Sequence, residues 1–444
     1  MKIEFVNHAS FIIEHNGIRI LNDPWLIGSA FNDGWDLLVP TVFDFENAPA
    51  NINYIWYSHE HPDHFSPVVL KKIPEHHRKN ITILYQQTKD KKVIEFCRSL
   101  GYKILELEDN REAELVPGFT VICNKVPFFD SWIMYNCNGY KILNANDCVV
   151  DGDGKAEDIR KITGKVDVLL TQFGYAAWKG NPDEKELREI AAASKLEIVK
   201  EQINVFEPSF TIPFASFIYF SHQENAYMND SINKPQQAVQ AIEAANSKAV
   251  LMFPGDVWEM PNEWMGNNLS LQKYNSYYDN LSNANRRNSA SVPIEKLQEQ
   301  ATKYYERISS KNSMALVKIA AALPALNFFK PFTIYLHDIN TTVTYSLLKG
   351  LHALPYTGNG YMVKMHSDSL NFIYKFDWGY ETLTVNGRFE CTPEGFNLMS
   401  KNLGIGPLNN MGKYVKPSLF LDYKTILYFF QSLSKLVTKL KKKT

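Results

Sequence analysis

SHEHPDH, at residues 58–64, is the stretch of this sequence that decides the fold, and it follows directly on the apolar run YIWY at residues 54–57. A short apolar run bounded by polar residues is typical of a buried β-strand. Three histidines and two carboxylates fall within residues 59–64, although the whole chain of 444 residues has only 11 histidines. A loop at the end of a strand allows such side chains to converge on one point.

The side chains of this run are of the kinds that bind divalent metal ions. Neutral imidazole suits zinc and iron sites, and a carboxylate adds negative charge. His59 and His61 are two residues apart and can point the same way, while Asp63 and His64 can turn toward a neighbouring position. The spacing predicts two adjacent metal positions, about 3.5 to 4 Å apart in known binuclear sites. The alternative is an exposed polar loop with incidental histidines.

Strand patterns come before this run, and helical and strand patterns alternate after it. KIEFVNHASFIIE and IRILNDPWL have strand composition, and Asn16-Gly17 between them is a hairpin turn signal. Helices are predicted at residues 66–77 and 89–102, and further strands and one long charged helix follow up to about residue 256. This alternation predicts a layered α/β architecture.

The H-x-H-x-D-H pattern after a strand resembles the metallo-β-lactamase superfamily, and the resemblance covers about residues 1–260. More narrowly, the chain resembles the hydrolase-like part of the CMP-N-acetylneuraminate hydroxylase family and its ascorbate-lactonase-like relatives. Four motifs carry this narrower resemblance: NHASFIIE at 7–14, NDPWLIGSAF at 22–31, GYKILNANDC at 139–148 and PFASFIYFSH at 213–222. The resemblance implies an α/β fold, the four-layer αβ/βα metallo-β-lactamase sandwich, with metals at one sheet edge.

The resemblance also implies a set of metal ligands. It places Asp147 as the carboxylate that bridges two metals and His222 as the family's late histidine. Where the family usually supplies a third histidine to the first metal, this chain has Val126. The implied first position therefore has His59, His61 and Asp147, and the second, expected to bind more firmly, has Asp63, His64, Asp147 and His222.

One or two divalent ions are the implied cofactor, with zinc expected and manganese or iron as alternatives. Asp130 is a further candidate for the place of the missing histidine. His8 and Asp23 belong to motifs beside the family's metal pocket, so we expect them to position ligands or substrate. Ordinary structural roles, at a strand edge and in a turn, are the alternative for these two residues.

The implied function is hydrolysis of a small molecule by metal-activated water. Asp63 would accept or orient the proton of the water, and Asp147 would hold the ions together, so these two are the expected catalytic residues. The substrate class suggested by the resemblance is a sugar or nucleotide-sugar derivative. One alternative is a metal-dependent oxygenase with a separate electron donor, because the chain lacks the Cys-x-His pairs of a Rieske module. Another is a non-catalytic binding protein on a decayed scaffold, motivated by Val126.

The remainder of the chain predicts a smaller accessory domain. Residues 261–291 are rich in Asn and Ser and favour a linker or long loop. Residues 292–444 indicate an α+β domain, with two helices followed by strands at TIYLHDI, FIYKFDW and ETLTVNGRF. The tail from residue 418 predicts a basic helix ending in a lysine run, for which weak peripheral membrane contact and a solvated helix end are the two interpretations.

Composition argues against nucleic-acid binding, a disulfide-based fold and a transmembrane segment. A net charge of −1 gives no electrostatic reason to expect nucleic-acid binding. The five cysteines include no C-x-x-C pair, which favours a reducing cytoplasm over a disulfide framework. Glu4, His8 and Glu14 interrupt the N-terminal apolar pattern, which predicts a strand of the mature protein. The sequence has no run of eighteen apolar residues and so predicts no transmembrane segment.

Overall fold

The structure, a computed structural model, describes residues 1–126, 130–148, 154–323, 327–355, 360–417 and 419. Within these residues the strands form two seven-stranded sheets, one two-stranded sheet and one five-stranded sheet. Among the helices of this same part of the chain, none is long and apolar enough to cross a membrane.

Strands and helices alternate along the N-terminal part, as the sequence predicts. In chain order its strands are β1 Lys2–Asn7, β2 Ser10–His15, β3 Ile18–Asn22, β4 Trp35–Leu37, β5 Tyr54–Tyr57, β6 Thr82–Gln86, β7 Lys103–Leu107, β8 Glu112–Val116, β9 Phe119–Lys125, β10 Ser131–Cys137, β11 Tyr140–Asn144, β12 Val168–Gln172, β13 Phe210–Phe214, β14 Ile218–Phe220, β15 Lys248–Ala249 and β16 Val257–Glu259. Its α-helices are α1 Pro67–Lys72, α2 Glu75–Arg78, α3 Lys92–Ser99, α4 Lys155–Thr163, α5 Lys185–Phe206, α6 Pro235–Ala244 and α7 Asn267–Asp279.

The first seven-stranded sheet has the order β16-β1-β2-β3-β5-β6-β7, and β3, β5, β6 and β7 run parallel. Successive side chains of each strand point to opposite faces. Ile55 and Tyr57 of β5 therefore join the core formed with α1 and α3, whereas Trp56 joins the core shared with the second sheet. Asn16 and Gly17 both have positive φ in the turn between β2 and β3, which is the geometry that this residue pair favours.

The second seven-stranded sheet has the order β15-β13-β12-β11-β10-β9-β8. It packs face to face on the first sheet, where Phe11 of β2 meets Phe214 of β13 with ring centroids 6.0 Å apart. Helices α4, α5 and α6 cover its other face through apolar residues such as Ile159, Ile203 and Ile242. The four-layer αβ/βα sandwich that the family resemblance implies is therefore confirmed.

One edge of this sandwich gathers the polar strand ends. Asp23 follows β3 and Ser58 follows β5 in the first sheet, while Asp147 follows β11 in the second. The two sheets are joined at this edge because the Ser131 hydroxyl, at the start of β10, donates to the Ser58 carbonyl at 2.6 Å. Carboxyl ends of parallel strands are where α/β proteins commonly place their sites.

The sequence predicts a linker or long loop at residues 261–291, and the structure differs in that this stretch contains helix α7. Tyr274 and Tyr278 of α7 lie four residues apart on one face and are buried. Tyr274 stacks on Phe217 with ring centroids 4.4 Å apart and donates to the Met252 carbonyl at 2.9 Å. Helix α7 thus packs on the core of the sandwich, and the Asn and Ser residues between the tyrosines mask the helical spacing.

The C-terminal part is a smaller α+β unit around a five-stranded sheet of order β19-β18-β17-β20-β21. Its elements are α8 Ile294–Lys311, α9 Met314–Ala322, β17 Phe332–Leu336, β18 Thr341–Ser346, β19 Gly350–Ala353, β20 Val363–Met365, α10 Ser367–Lys375, α11 Gly379–Asn386, β21 Phe389–Cys391, α12 Pro393–Leu403 and α13 Ile405–Asn410. The basic helix expected from residue 418 lies outside the described residues, apart from residue 419.

Two of the strands predicted in the C-terminal part were wrong. FIYKFDW lies largely in helix α10, and most of ETLTVNGRF forms helix α11. Leu370, Ile373 and Tyr374 share one buried face of α10 at helical spacing. Tertiary packing therefore overrides the β propensity of the aromatic and β-branched residues in these segments.

Candidate metal centre

The loop after β5 brings its polar side chains to the shared edge of the two sheets. His59, Asp63 and His64 are all almost completely buried. The loop folds back on itself, since the backbone amides of His64 and Phe65 donate to the His61 carbonyl at 3.0 and 2.8 Å. This compact turn is what allows residues close in sequence to face one point instead of solvent.

His59 and His61 form a close pair. The His59 Nε2 atom lies 2.8 Å from the His61 Nδ1 atom, and the ring centroids are 4.5 Å apart. Two aromatic rings also lie near His61, with Phe31 at 5.8 Å and Trp378 of the C-terminal part at 6.2 Å between centroids. The C-terminal unit therefore contributes Trp378 to the surroundings of the centre.

His64 lies between three carboxylates. Its Nε2 atom is 3.3 Å from an oxygen of Asp63 and 3.3 Å from an oxygen of Asp147, while its Nδ1 atom is 3.1 Å from Asp23 Oδ2. Ligand atoms of His59, His64 and Asp147 lie within 4.8 Å of one another, as do those of His8, Asp63 and His64. Both groups therefore share His64.

Asp23 and Ser58 fix the orientation of two of these histidines. Asp23 accepts hydrogen bonds from the Ser58 amide and hydroxyl, both at 2.8 Å, as well as from His64 Nδ1. Because the Ser58 hydroxyl donates to Asp23, it can accept from His59 Nδ1, which lies 2.9 Å away. Both Nδ1 atoms then carry a proton, and the Nε2 atoms are the ones turned toward the centre, where a cation would bind.

Asp147 is held from the opposite sheet. Gln172, at the end of β12, donates from Nε2 to Asp147 Oδ1 at 3.0 Å, and Lys195 of α5 donates to the Gln172 oxygen at 2.8 Å. The second oxygen of Asp147 faces His64. The side chain of Asp147 is 19% exposed, whereas those of His64 and Asp63 are 0% and 3% exposed, so solvent reaches the centre on the Asp147 side.

The pKa shifts at the centre indicate fewer positive charges than carboxylates. Burial, together with neighbouring His64 and His61, lowers the pKa of His59 well below its usual value, so His59 is neutral. Burial opposes a charged His64, yet Asp63, Asp147 and Asp23 raise its pKa well above the usual value. One positively charged imidazole, that of His64, thus faces three carboxylates. A bound cation would offset the excess negative charge.

Asp130 lies beside His59, with Oδ1 3.3 Å from the Nδ1 atom of that ring. This places Asp130 on the outer nitrogen of His59, where it can orient the ring, and does not place it among the grouped ligand atoms. Burial and the nearby Asp147 raise the pKa of Asp130 well above its usual value. Val126 packs against the apolar core, while the neighbouring residues 127–129 lie outside the described part.

His222 makes its contacts in a different cluster. Its Nδ1 atom accepts from the Glu224 amide at 3.2 Å, and its Nε2 atom lies 3.3 Å from the Ser289 hydroxyl. Burial and the nearby Arg388 guanidinium lower the pKa of His222 to about 4. Of the six expected ligands, the structure therefore brings together His59, His61, Asp63, His64 and Asp147 and engages His222 elsewhere.

The cluster around His222 joins the two parts of the chain. Arg388, which is fully buried, donates to Glu224 at 2.9 Å, to the Asn32 carbonyl at 2.8 Å and to Ser289 at 2.9 Å. A cavity of about 640 Å³ opens beside Glu224 and is also lined by His337 and other residues of the C-terminal part.

The residues at the centre fit a divalent metal ion. The donor set consists of imidazole nitrogens and carboxylate oxygens, which zinc, iron and manganese accept. Asp63 Oδ1 is buried without a hydrogen-bond partner among the described residues. A native protein seldom leaves such an atom unpaired unless another ligand satisfies it.

Three supporting residues were missed by the sequence reasoning. Ser58, Gln172 and Lys195 each orient a candidate ligand, directly or through one intermediate. Ser58 carries a signal in its position at the start of the SHEHPDH run. Gln172 and Lys195 are far from that run in sequence, and only the pairing of β11 with β12 brings them to Asp147.

Comparison with known proteins places this centre in a family context. A family model described as "Beta-lactamase superfamily domain" matches residues 2–187, which confirms the resemblance carried by the H-x-H-x-D-H pattern. Cytidine monophosphate-N-acetylneuraminic acid hydroxylase of Mus musculus is 25% identical over 57% of this chain and 46% of its own length. The match thus spans about half of that relative.

Solved structures resemble the chain over a similar share. A possible metal-dependent hydrolase from Veillonella parvula is 14% identical, with a TM-score of 0.44 over 58% of this chain and 98% of that one. CmlA, a diiron beta-hydroxylase from Streptomyces venezuelae, is 14% identical, with a TM-score of 0.42 over 58% of this chain and 54% of that one.

Proposed function

We propose that this chain, whose residues 2–187 match a beta-lactamase superfamily domain, is a metal-dependent hydrolase acting on a small molecule. The observation that carries the proposal is the convergence of His59, His64 and Asp147, whose ligand atoms lie within 4.8 Å of one another at one sheet edge. Zinc is the expected metal, with manganese or iron as alternatives, because the donor set suits all three.

Five residues would hold one or two ions: His59, His61, Asp63, His64 and Asp147. When bound, a divalent cation lowers the pKa of water from 15.7 toward about 7 and polarises a carbonyl or phosphoryl oxygen. Asp23 and Ser58 fix a proton on Nδ1 of His64 and of His59, so a bound cation would take the Nε2 atoms and displace the second proton of His64. Substrate would approach beside Asp147, the most exposed of the three grouped ligands.

Asp63 is the residue we assign to proton transfer. Its Oδ2 atom faces His8 and His64, whereas Oδ1 has no hydrogen-bond partner among the described residues. Burial opposes ionisation, but His64 and His8 hold the pKa of Asp63 well below its usual value, so the carboxylate is available as an acceptor. Oδ1 would take or orient the proton of the attacking water. Asp147, fixed by Gln172, would hold the ions.

A sugar- or nucleotide-sugar-derived compound is the substrate class we propose. Support comes from the similarity to the Mus musculus cytidine monophosphate-N-acetylneuraminic acid hydroxylase. The same relative favours a second candidate function, oxygenation at an iron-loaded centre. Because this chain has no Cys-x-His pair for a Rieske cluster, that reaction would need a separate electron donor. The five cysteines are buried and unpaired, which supports a reducing compartment such as the cytoplasm.

A substrate panel tests the proposal. Purified protein loaded separately with zinc, manganese or iron would be assayed on lactones, phosphoesters and nucleotide sugars. His61→Ala and Asp147→Asn should lose at least about 100-fold in kcat/KM, because each removes a group that holds the catalytic ion. His76→Ala and Asp158→Asn, which change exposed residues, serve as matched controls.

Three outcomes separate the candidates. Hydrolysis with zinc that both site variants abolish supports the hydrolase. Product formation only with iron, oxygen and an added reductant would replace it with the oxygenase. Wild-type protein that binds no metal, and is as stable with a chelator as without, would leave a non-catalytic binding protein on a hydrolase scaffold.

A further inference from the structure

His8, in the turn between β1 and β2, is a buried histidine whose ring makes no hydrogen bond within the described residues. The residue is 1% exposed, and neither Nδ1 nor Nε2 makes a hydrogen bond within the described residues. Leaving a buried polar group unpaired costs about 1 to 3 kcal/mol per group. An unpaired, buried imidazole therefore indicates that the ring binds a group other than the described protein atoms.

The ring of His8 is aimed at the metal centre. Its Nε2 atom lies 3.5 Å from Asp63 Oδ2, and the same oxygen lies 3.3 Å from His64 Nε2. Two atoms bound at 2.0 to 2.1 Å to a tetrahedral zinc ion are about 3.4 Å apart. The separations around Asp63 therefore match those of ligands that share one ion.

The backbone and a neighbouring ring hold His8 in this orientation. Its φ of 44° is in the left-handed region, which is uncommon for a residue other than glycine. The conformation is fixed on both sides, because the His8 amide donates to Asn7 Oδ1 at 2.9 Å and the His8 carbonyl accepts from the Ala215 amide at 2.8 Å. Trp25 packs edge-on against the ring, with centroids 5.5 Å apart.

We propose that His8 is a protein ligand of the second metal position, together with Asp63 and His64 and beside the shared Asp147. His8 takes the place that the family resemblance gives to His222, whose ring nitrogens face Glu224 and Ser289 instead. The ligand is a zinc ion or another divalent ion that accepts imidazole. This inference rests on the proposed function, because it concerns the same metal centre.

The test measures zinc binding directly and needs no substrate. Metal-free wild-type protein, His8→Asn, His222→Gln and the surface control His76→Ala would each be titrated with zinc against a competing chelator. Asparagine tolerates positive φ, so His8→Asn keeps the turn. We expect His8→Asn to lose one zinc equivalent, or to weaken zinc binding by more than about 100-fold, which exceeds the roughly 10- to 100-fold effect of an outer-shell partner.

His222→Gln and His76→Ala should bind as wild type does. A thermal unfolding series adds a measurement that a purely structural histidine would not change. Metal-free His8→Asn should unfold close to the wild-type temperature, since the imidazole that is lost makes no hydrogen bond within the described residues, and should lose most of the zinc-dependent rise.

Each remaining outcome overturns the inference. If His8→Asn keeps wild-type zinc stoichiometry and affinity, or if His222→Gln loses a zinc equivalent, His8 is not the ligand, although the metal centre stands. If the wild-type protein binds no zinc, manganese or iron, the proposed function fails and this inference fails with it. A His8→Asn protein that does not fold without metal would show a structural role and count against the assignment.

Discussion

Replacing Asp23 by asparagine tests how the centre prepares its histidines. Asp23 accepts three hydrogen bonds, from the Ser58 amide and hydroxyl at 2.8 Å each and from His64 Nδ1 at 3.1 Å. Asparagine has one acceptor oxygen and one amino group. The Ser58 amide can only donate, so the asparagine oxygen must stay opposite it, and the amino group faces His64 and the Ser58 hydroxyl.

The expected effect follows from the tautomer of His64. With an amino group opposite, Nδ1 must accept, so the neutral ring that binds metal would carry its one proton on Nε2, the atom that faces Asp63 and Asp147. A protonated Nε2 cannot bind a metal ion. We expect Asp23→Asn to weaken zinc binding by roughly 10- to 100-fold, or about 1.4 to 2.7 kcal/mol.

Zinc titration against a competing chelator at pH 7.5 measures this change, and Asp158→Asn, at an exposed position, is the matched control. Circular dichroism of both variants shows whether the fold is retained. Asp23→Asn with a zinc affinity within twofold of wild type would refute the reasoning, because His64 would then not depend on Asp23 for its tautomer.

Other parts of the chain give three further predictions. Burial raises the pKa of Glu381 from its usual 4.5 to about 7, so the folded state binds this proton more tightly than the unfolded state. Stability from this group is present below pH 4.5 and is lost as the pH rises through 7, and Glu381→Gln should be more stable than wild type by about 3 kcal/mol at pH 8.5 but not at pH 4. Arg388→Met leaves Glu224 buried without its guanidinium and should lower the free energy of unfolding by about 3 kcal/mol. Tyr274→Ala removes a buried ring of helix α7 and should cost about 3 to 5 kcal/mol.

Urea denaturation measures all three changes. Equal stability of Glu381→Gln and wild type at pH 8.5 would contradict the raised pKa. The double variant Arg388→Met with Glu224→Gln should recover part of the loss, and a double variant as unstable as Arg388→Met alone would count against the ion pair. Gln272→Ala changes an exposed position of α7 and is the control for Tyr274→Ala. If Tyr274→Ala lowers the free energy of unfolding by less than about 1 kcal/mol, helix α7 does not pack on the core as described, and the loop interpretation of this segment is favoured.

Local patterns predicted the layered α/β architecture because its strands carry strong local signals, whereas the four-layer arrangement was implied by the family resemblance. Alternation in β5 separates Ile55 and Tyr57 from Trp56, and Asn16-Gly17 closes its hairpin by backbone preference alone. The sequences of helices α10 and α11 predict strands instead, since aromatic and β-branched residues have β propensity and the helical burial of these segments depends on distant partners.

The candidate site was predictable only in part. The sequence alone indicated four of its residues, because several metal-ligating residue types lie close together in one short run: His59, His61, Asp63 and His64. Asp147 came from family resemblance, and the support of Asp147 by Gln172 and Lys195 depends on how β12 and α5 pack. The engagement of His222 with Glu224 and Ser289 involves chain segments far apart in sequence, so residue spacing carries no signal for it.

The metal content of the protein tests the central claim most directly. Protein purified without added metal would be analysed by native mass spectrometry and elemental analysis, alongside His61→Ala and Asp147→Asn. We predict one or two equivalents of a divalent metal in the wild type and a clear loss in both variants, with circular dichroism unchanged. A well-folded wild-type protein that contains no metal, and takes up none when zinc, manganese or iron is supplied, would contradict the account.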